Sequence, residues 1–106
     1  MYAVIFRAEL EQVDAQYSLL ANQLRELAFK QYNCIEFTAC TEGSSEIAIS
    51  YWRSLSDITA WKQHSKHLLA QDIGKNRWYK SYQVDVAEIS RSYAFDREAL
   101  SEAGES

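Results

Sequence analysis

The apolar residues of this chain switch four times between a period of two and a period near 3.6, and that alternation limits the fold more than any other feature. Over residues 2–9, Val4, Phe6 and Ala8 fall on one face and Ala3, Ile5 and Arg7 on the other, which is the pattern of a strand. Both faces are largely apolar, as expected inside a sheet covered on both sides. From 13 to 31, Val13, Tyr17, Leu20, Leu24 and Leu27 recur at steps of three and four, which predicts a helix of about five turns with one buried side. Two strands follow, over 33–42 and 45–53, with Glu-Gly-Ser-Ser at 42–45 as their hairpin turn. In the second, Ile47, Ile49 and Tyr51 oppose Ala48, Ser50 and Trp52. Ser54 stands three residues before Asp57, the spacing of a helix start, and Ile58, Trp61, Leu68 and Leu69 supply an apolar face. Gly74 is placed as the left-handed residue that ends this second helix.

The last element is the longest. Residues 80–95 carry Tyr, Val, Ile and Ser with no helical stripe and no turn signal, so they read as one extended strand. Its inward set changes parity, from Tyr82, Val84 and Val86 to Ile89, Tyr93 and Phe95, and a bulge near 87–88 would account for the change. Sixteen residues at about 3.3 Å each reach roughly 50 Å, whereas a domain of this length has a radius of gyration near 13 Å. The strand should overrun its own subunit and meet a second copy, which predicts a homodimer. The order β-α-β-β-α-β is that of the ferredoxin-like α+β fold, an antiparallel sheet with two helices on one face. Its other face is left for a second sheet to cover. The 106 residues suffice for one core, and we assign residues 1–95 to the domain and 96–106 to an acidic, flexible tail.

Charge narrows the partners. Eleven Lys and Arg against fifteen Asp and Glu give a net charge of -4, which argues against a general grip on nucleic acid. Residues 53–80 nevertheless hold six basic and two acidic side chains, so a basic middle sits in an acidic chain. That suits a small anionic ligand, or simply a solvated helix face. No stretch approaches the ~20 apolar residues of a membrane helix, and Met1 runs straight into the first strand, so the cytoplasm is the expected compartment and no membrane partner is expected. Cys34 and Cys40, six residues apart on one strand, would lie about 20 Å apart, too far to bridge. They are expected to be buried free thiols.

Few residues offer chemistry. His64 and His67 are the only histidines, and no third ligand stands near them, so no metal site is expected. His67 is expected to face solvent or a dimer contact. His64, beside Trp61 at the edge of the apolar face, is the candidate acid or base. The aromatic residues concentrated in the second half are core, or the walls of a flat pocket for an aromatic ligand. No nucleophile elbow, phosphate loop or dinucleotide fingerprint is present.

The segment Ala60-Trp61-Lys62-x-His64-x-x-His67-x-x-Ala70-Gln71-x-x-Gly74-Lys75-x-x-Trp78-Tyr79, preceded by Tyr51-Trp52, resembles the antibiotic biosynthesis monooxygenase (ABM) domain family. With AVIF in the first strand and Tyr-x-Phe at 93–95, the likeness spans nearly the whole chain. The resemblance implies a dimeric α+β barrel with a pocket between sheet and helices in each subunit. It further implies O₂-dependent oxidation of an aromatic or phenolic small molecule with no cofactor, the electron-rich substrate itself reducing O₂. Haem-degrading relatives of the same fold use an Asn on the first strand, a Trp on the second helix and a His ten residues later. Trp61 matches the Trp, but Gln71 stands ten residues on and the first strand has Arg7 and no Asn. The expected site is His64 as base, Trp52, Trp61, Trp78 and Tyr79 as aromatic walls, and Arg7 or Arg53 as anion partners. A haem-binding protein and a non-catalytic dimeric ligand-binding module are the alternatives.

Overall fold

A computed structural model describes residues 1–98. Part of the expected tail, residues 99–106, lies outside the described residues. Four strands, β1 (Tyr2–Leu10), β2 (Glu36–Glu42), β3 (Ser45–Trp52) and β4 (Tyr79–Glu88), form one antiparallel sheet in the order β2-β3-β1-β4. The helices are α1 (Ala15–Gln31), α2 (Leu55–Lys62) and α3 (Ser65–Ile73), followed by a π-helical turn over Gly74–Trp78. This is the ferredoxin-like α+β arrangement.

β1 is central because both of its edges are paired, to β3 and to β4, over nearly its full length. The register places Val4 opposite Ser50 and Val86, and Phe6 opposite Ala48 and Val84, so these side chains share the face turned to the helices. Trp52, Trp61, Ile58, Val4 and Ala28 are the heart of the core, with Trp52 fully buried. Each of the three indole N–H groups donates to a partner: Trp52 to Ser50 Oγ at 2.8 Å, Trp61 to the Leu24 carbonyl at 3.0 Å, Trp78 to Asp14 Oδ1 at 3.2 Å. That satisfies the polar atom which otherwise makes a buried Trp costly.

Helix starts follow the sequence closely. Asp14 caps α1 by accepting from Tyr17 N–H at 3.0 Å, and Ser54 caps α2 by accepting from Asp57 N–H at 3.1 Å. Val13, expected on the helix stripe, precedes this cap and is exposed. α1 ends where Asn33 takes a left-handed φ of 60°, a conformation Asn tolerates, so β2 begins at Glu36, three residues beyond the expected start. In the β2–β3 turn, Gly43 has φ 61° at the first of two central positions, where that sign is needed.

Several expectations are corrected. The second helix is broken: His64 is extended at φ -62°, ψ 143°, and its Nδ1 accepts from Lys66 N–H at 3.0 Å, capping a new helix. The break resets the helical phase, so Leu68 and Leu69 are half exposed instead of continuing the face of Ile58 and Trp61. Gly74 is not left-handed but right-handed, at φ -57°. What demands glycine there is the Tyr79 ring, since a Cβ would lie 2.5 Å from Tyr79 Cε2. Cys34 is buried, but Cys40 is exposed on β2; both are free.

β4 ends at Glu88, not at 95. Glu88 pairs with Tyr2, and Ile89 N–H makes a last bond to the Met1 carbonyl at 2.9 Å, after which β1 offers nothing more to pair with. The expected bulge near 87–88 is absent from the ladder. The register instead slips between Glu9 and Leu10, opposite the start of β4. Beyond Glu88 the chain leaves the sheet, with Tyr93 and Phe95 largely exposed, and the radius of gyration is 16.0 Å, above the roughly 13 Å of a compact chain this long. The sheet face away from the helices carries Ala3, Ile5, Ile47, Ile49 and Tyr51, and no described element of the chain covers it.

Candidate functional site

Between the sheet and the helices lies a cavity of about 200 Å³. Small side chains create it: Ala39 and Ala48 face inward from β2 and β3, and Ala21 and Ala70 from α1 and α3, where larger residues would close the space. Its walls are aromatic. Trp61 and Phe37 stand at one end, where Trp61 rests on buried Trp52 with ring centroids 5.2 Å apart. Trp78, Tyr17, Tyr79, Tyr82 and Phe6 form the other end. Tyr79 and Tyr82 could not share a face of a regular strand; the register slip at Glu9 and Leu10 turns both inward, and each ring packs on Phe6 within 6 Å.

Trp78 is held by α1. Asp14 accepts from its indole and also pairs with Arg77 at 3.1 Å, so one carboxylate fixes the helix start and the wall of the cavity together.

Polar side chains enter the cavity at both ends. His67 lies on α3 with its ring 4.6 Å from that of Trp61, edge to face, and its Nδ1 is buried with no hydrogen-bond partner among the described residues. Burial, then the neighbouring Lys62 and His64 charges, push its pKa down to about 4, so the imidazole is neutral at pH 7. Lys62 also lines the cavity, and burial lowers its pKa. At the far end, the Tyr17 hydroxyl donates to Glu46 Oε2. Burial and that bond raise the Tyr17 pKa well beyond its ordinary range, and burial lifts Tyr79 to about 12.

The structure brings together three of the expected site residues, Trp61, Trp78 and Tyr79. Trp52 backs Trp61 without lining the cavity. His64 is outside it: its Nδ1 is engaged in the α3 cap and its ring packs on Tyr32. His67, expected at the surface or an interface, occupies the position foreseen for His64. Arg7 lies on the opposite face of the sheet, paired with Asp85 at 3.3 Å, and Arg53 is exposed beyond β3; neither lines the cavity.

The sequence reading missed Tyr17, Glu46, Lys62 and His67. Glu46 left a signal, because it is a carboxylate in register with the inward positions Ala48, Ser50 and Trp52.

The residues do not fit haem. The cavity is smaller than the ~300–1,000 Å³ of drug-sized sites, Gln71 lines it where the haem-degrading pattern has His, and His67 Nδ1 is enclosed against Trp61. Among the described residues no three His, Cys, Asp or Glu side chains gather to hold a metal, and no helix is long and apolar enough to cross a membrane.

No family model matches the chain. The uncharacterized protein YqjZ of Bacillus subtilis (strain 168) is 34% identical over 95 residues, covering 89% of this chain and 83% of that protein. Among solved structures, a mutant of SnoaB, a cofactor-independent oxygenase from Streptomyces nogalater, superposes with a TM-score of 0.71 at 11% identity, over 86% of this chain and 94% of its own. An antibiotic biosynthesis monooxygenase superposes at 0.62 and 12%, over 86% and 100%. A dimeric protein of unknown function with a ferredoxin-like fold, from Bacteroides fragilis NCTC 9343, superposes at 0.57 and 19%, over 83% and 95%.

Proposed function

The chain belongs to the family of YqjZ and has the fold of the antibiotic biosynthesis monooxygenases, and from that premise we propose that it binds a small aromatic molecule and oxidises it with O₂ without a cofactor. The observation that carries this reading is the aromatic-walled cavity with a neutral imidazole inside it. An apolar cavity of about 150 Å³ can hold benzene, so about 200 Å³ suits one or two fused rings. Polycyclic phenols would require the walls to move.

Each group has a part in this chemistry. The partly exposed rings of Phe6, Tyr17, Phe37 and Tyr79 face the guest, backed by the buried Trp61 and Trp78. His67, not His64, accepts the guest's phenolic proton, and the negative charge that develops on the guest beside it raises the basicity of the imidazole. The phenolate is far more electron-rich than the phenol and reduces O₂ itself. One oxygen atom joins the ring carbon, the other leaves as water with the displaced hydrogen and the phenolic proton, and the product is a quinone. The protein excludes water, orients the ring and moves the proton.

The test is oxygen uptake by the chelator-treated protein on a panel of one- and two-ring phenols and hydroquinones. Uptake matched mole for mole by quinone from a phenol is expected. Rates equal to those without protein on every member of the panel would overturn the reading.

We also propose a homodimer. The uncovered apolar face built around Ile5, Ile47 and Ile49, together with exposed Tyr93 and Phe95 beyond the end of β4, supports it, and a relative by fold is described as dimeric. Sedimentation at micromolar concentration should give about 25 kDa, twice the 12.3 kDa chain; a species of one chain's mass would refute it. Two unpaired thiols support a reducing, cytoplasmic setting.

A further inference from the structure

We infer that the end of the cavity formed by Glu46 and Tyr17 is a hydrogen-bond-accepting subsite for a second polar group of the guest, distinct from the phenol that His67 serves at the other end: it selects an O–H or N–H donor and rejects a carboxylate. This rests on the cavity being a ligand site and names the chemistry of its ligand.

The argument begins with counting protons. A tyrosine hydroxyl has one hydrogen to donate, and that of Tyr17 is given to Glu46 Oε2. The other carboxylate oxygen of Glu46 accepts from Thr41 Oγ1 at 3.4 Å. An ionised carboxylate has about four acceptor positions and no donor, so two bonds leave capacity to accept more. The Tyr79 hydroxyl is a hydrogen-bond partner of Tyr17, so its single proton can be spent on the Tyr17 oxygen, and the run from Tyr79 through Tyr17 ends on the Glu46 carboxylate, where the remaining capacity is to accept. Burial and the Glu46 carboxylate hold Tyr17 protonated, so this polarity persists across the physiological range.

The rings around this pair reinforce it. Trp78 and Tyr79 pack on Tyr17 with centroids 5.1 and 6.1 Å away, both edge to face, and Tyr82 packs on Tyr79 at 5.7 Å. Aromatic faces are electron-rich and attract positive, not negative, partners. A carboxylate entering here would meet a like charge in a part-buried space, where water screens the repulsion less than at the open surface. The basic group at this end, Arg77 over the Trp78 ring, is already paired with Asp14 at 3.1 Å, and the others lie elsewhere. Arg7 and Arg53 are outside the cavity, and Lys62 lies near Trp61 and His67 at the opposite end. Glu46 is six residues, about 20 Å, along β3 from Trp52, on which Trp61 rests. The basic middle of the sequence therefore does not translate into an anion subsite at this end.

Isothermal titration of the full chain with 2-naphthol and 2-naphthoate, two guests with the same ring system, tests the inference. 2-Naphthol should bind at least about tenfold more tightly than 2-naphthoate. In Glu46→Gln, which removes the charge but keeps the size, the preference should fall to about threefold or less. Tyr17→Phe, which keeps the ring, should narrow it too and serves if the first variant does not fold. The inference is overturned by equal affinities in the wild type, by a preference unchanged in both variants, or by no binding of either compound at about millimolar concentration. Oxygen uptake is a separate readout. Uptake without the preference overturns this inference and leaves the oxidation reading standing; the preference without uptake does the reverse.

Discussion

Replacing His67 with glutamine is expected to slow oxygen uptake by about 10² to 10⁴, the usual contribution of a positioned proton acceptor. Affinity for the aromatic guest should change little, because the walls remain. The same side chain has a thermodynamic signature that needs no substrate. Its folded pKa of about 4 lies below the ordinary 6.5, so between these values the unfolded chain takes up a proton that the folded chain refuses. Stability from this group is thus fully present above pH 6.5 and is lost as pH falls towards 4, by about 3 kcal/mol in total. Urea titrations at pH 7 and pH 4 should show that loss in the wild type, and His67→Leu should reduce it by most of that amount. An equally steep acid loss in the variant would mean that His67 is not the buried neutral imidazole described, and a variant with wild-type turnover would remove it from the reaction.

Trp52→Ala is the second large effect. The side chain is fully buried, supports Trp61 from behind and donates to Ser50 Oγ. Truncation should cost about 3–5 kcal/mol, and leaving the buried Ser50 hydroxyl without its partner adds to the upper end of that range. Against the ~5–15 kcal/mol that holds a typical domain together, this is enough to unfold a large fraction of the chains at moderate temperature. Trp52→Phe, which keeps a ring against Trp61, should lose about half as much or less. Denaturant midpoints for the two variants measure the difference; near-equal midpoints would show that the indole N–H and the extra ring area contribute little.

These two residues also show how far the sequence could be read. Trp52 was legible as part of a strand because alternation along β3 is a local property, and so were the caps at Ser54 and the hairpin at Gly43. The identity of the cavity histidine was not. On one unbroken helix, His64 is one step of three from Trp61 and His67 is two, which makes His64 the nearer. The helix in fact restarts at His64, whose own ring caps it, and the new phase carries His67 to within 4.6 Å of Trp61. A histidine N-cap is a weak local signal beside the Ser, Asp and Asn that usually mark such starts. The end of β4 was hidden for a different reason. Residues 89–95 have strand-like composition, but a strand needs a neighbour, and β1 runs out at Tyr2. Pairing depends on distant residues, which no window of local sequence contains. Glu46 could have been noticed, because a carboxylate in phase with inward alanines is unusual, but nothing in the sequence indicated that Tyr17 would meet it.

The four alanines around the cavity have a consequence for how such proteins diversify. Since the hollow is left by short side chains on rigid strands and helices, its capacity can be trimmed two methyl groups at a time by exchanges of alanine to valine, without rebuilding any loop. Descendants of one ancestral scaffold could therefore drift from guest to guest while their backbones stay superimposable, which would make overall shape a poor guide to what each one carries.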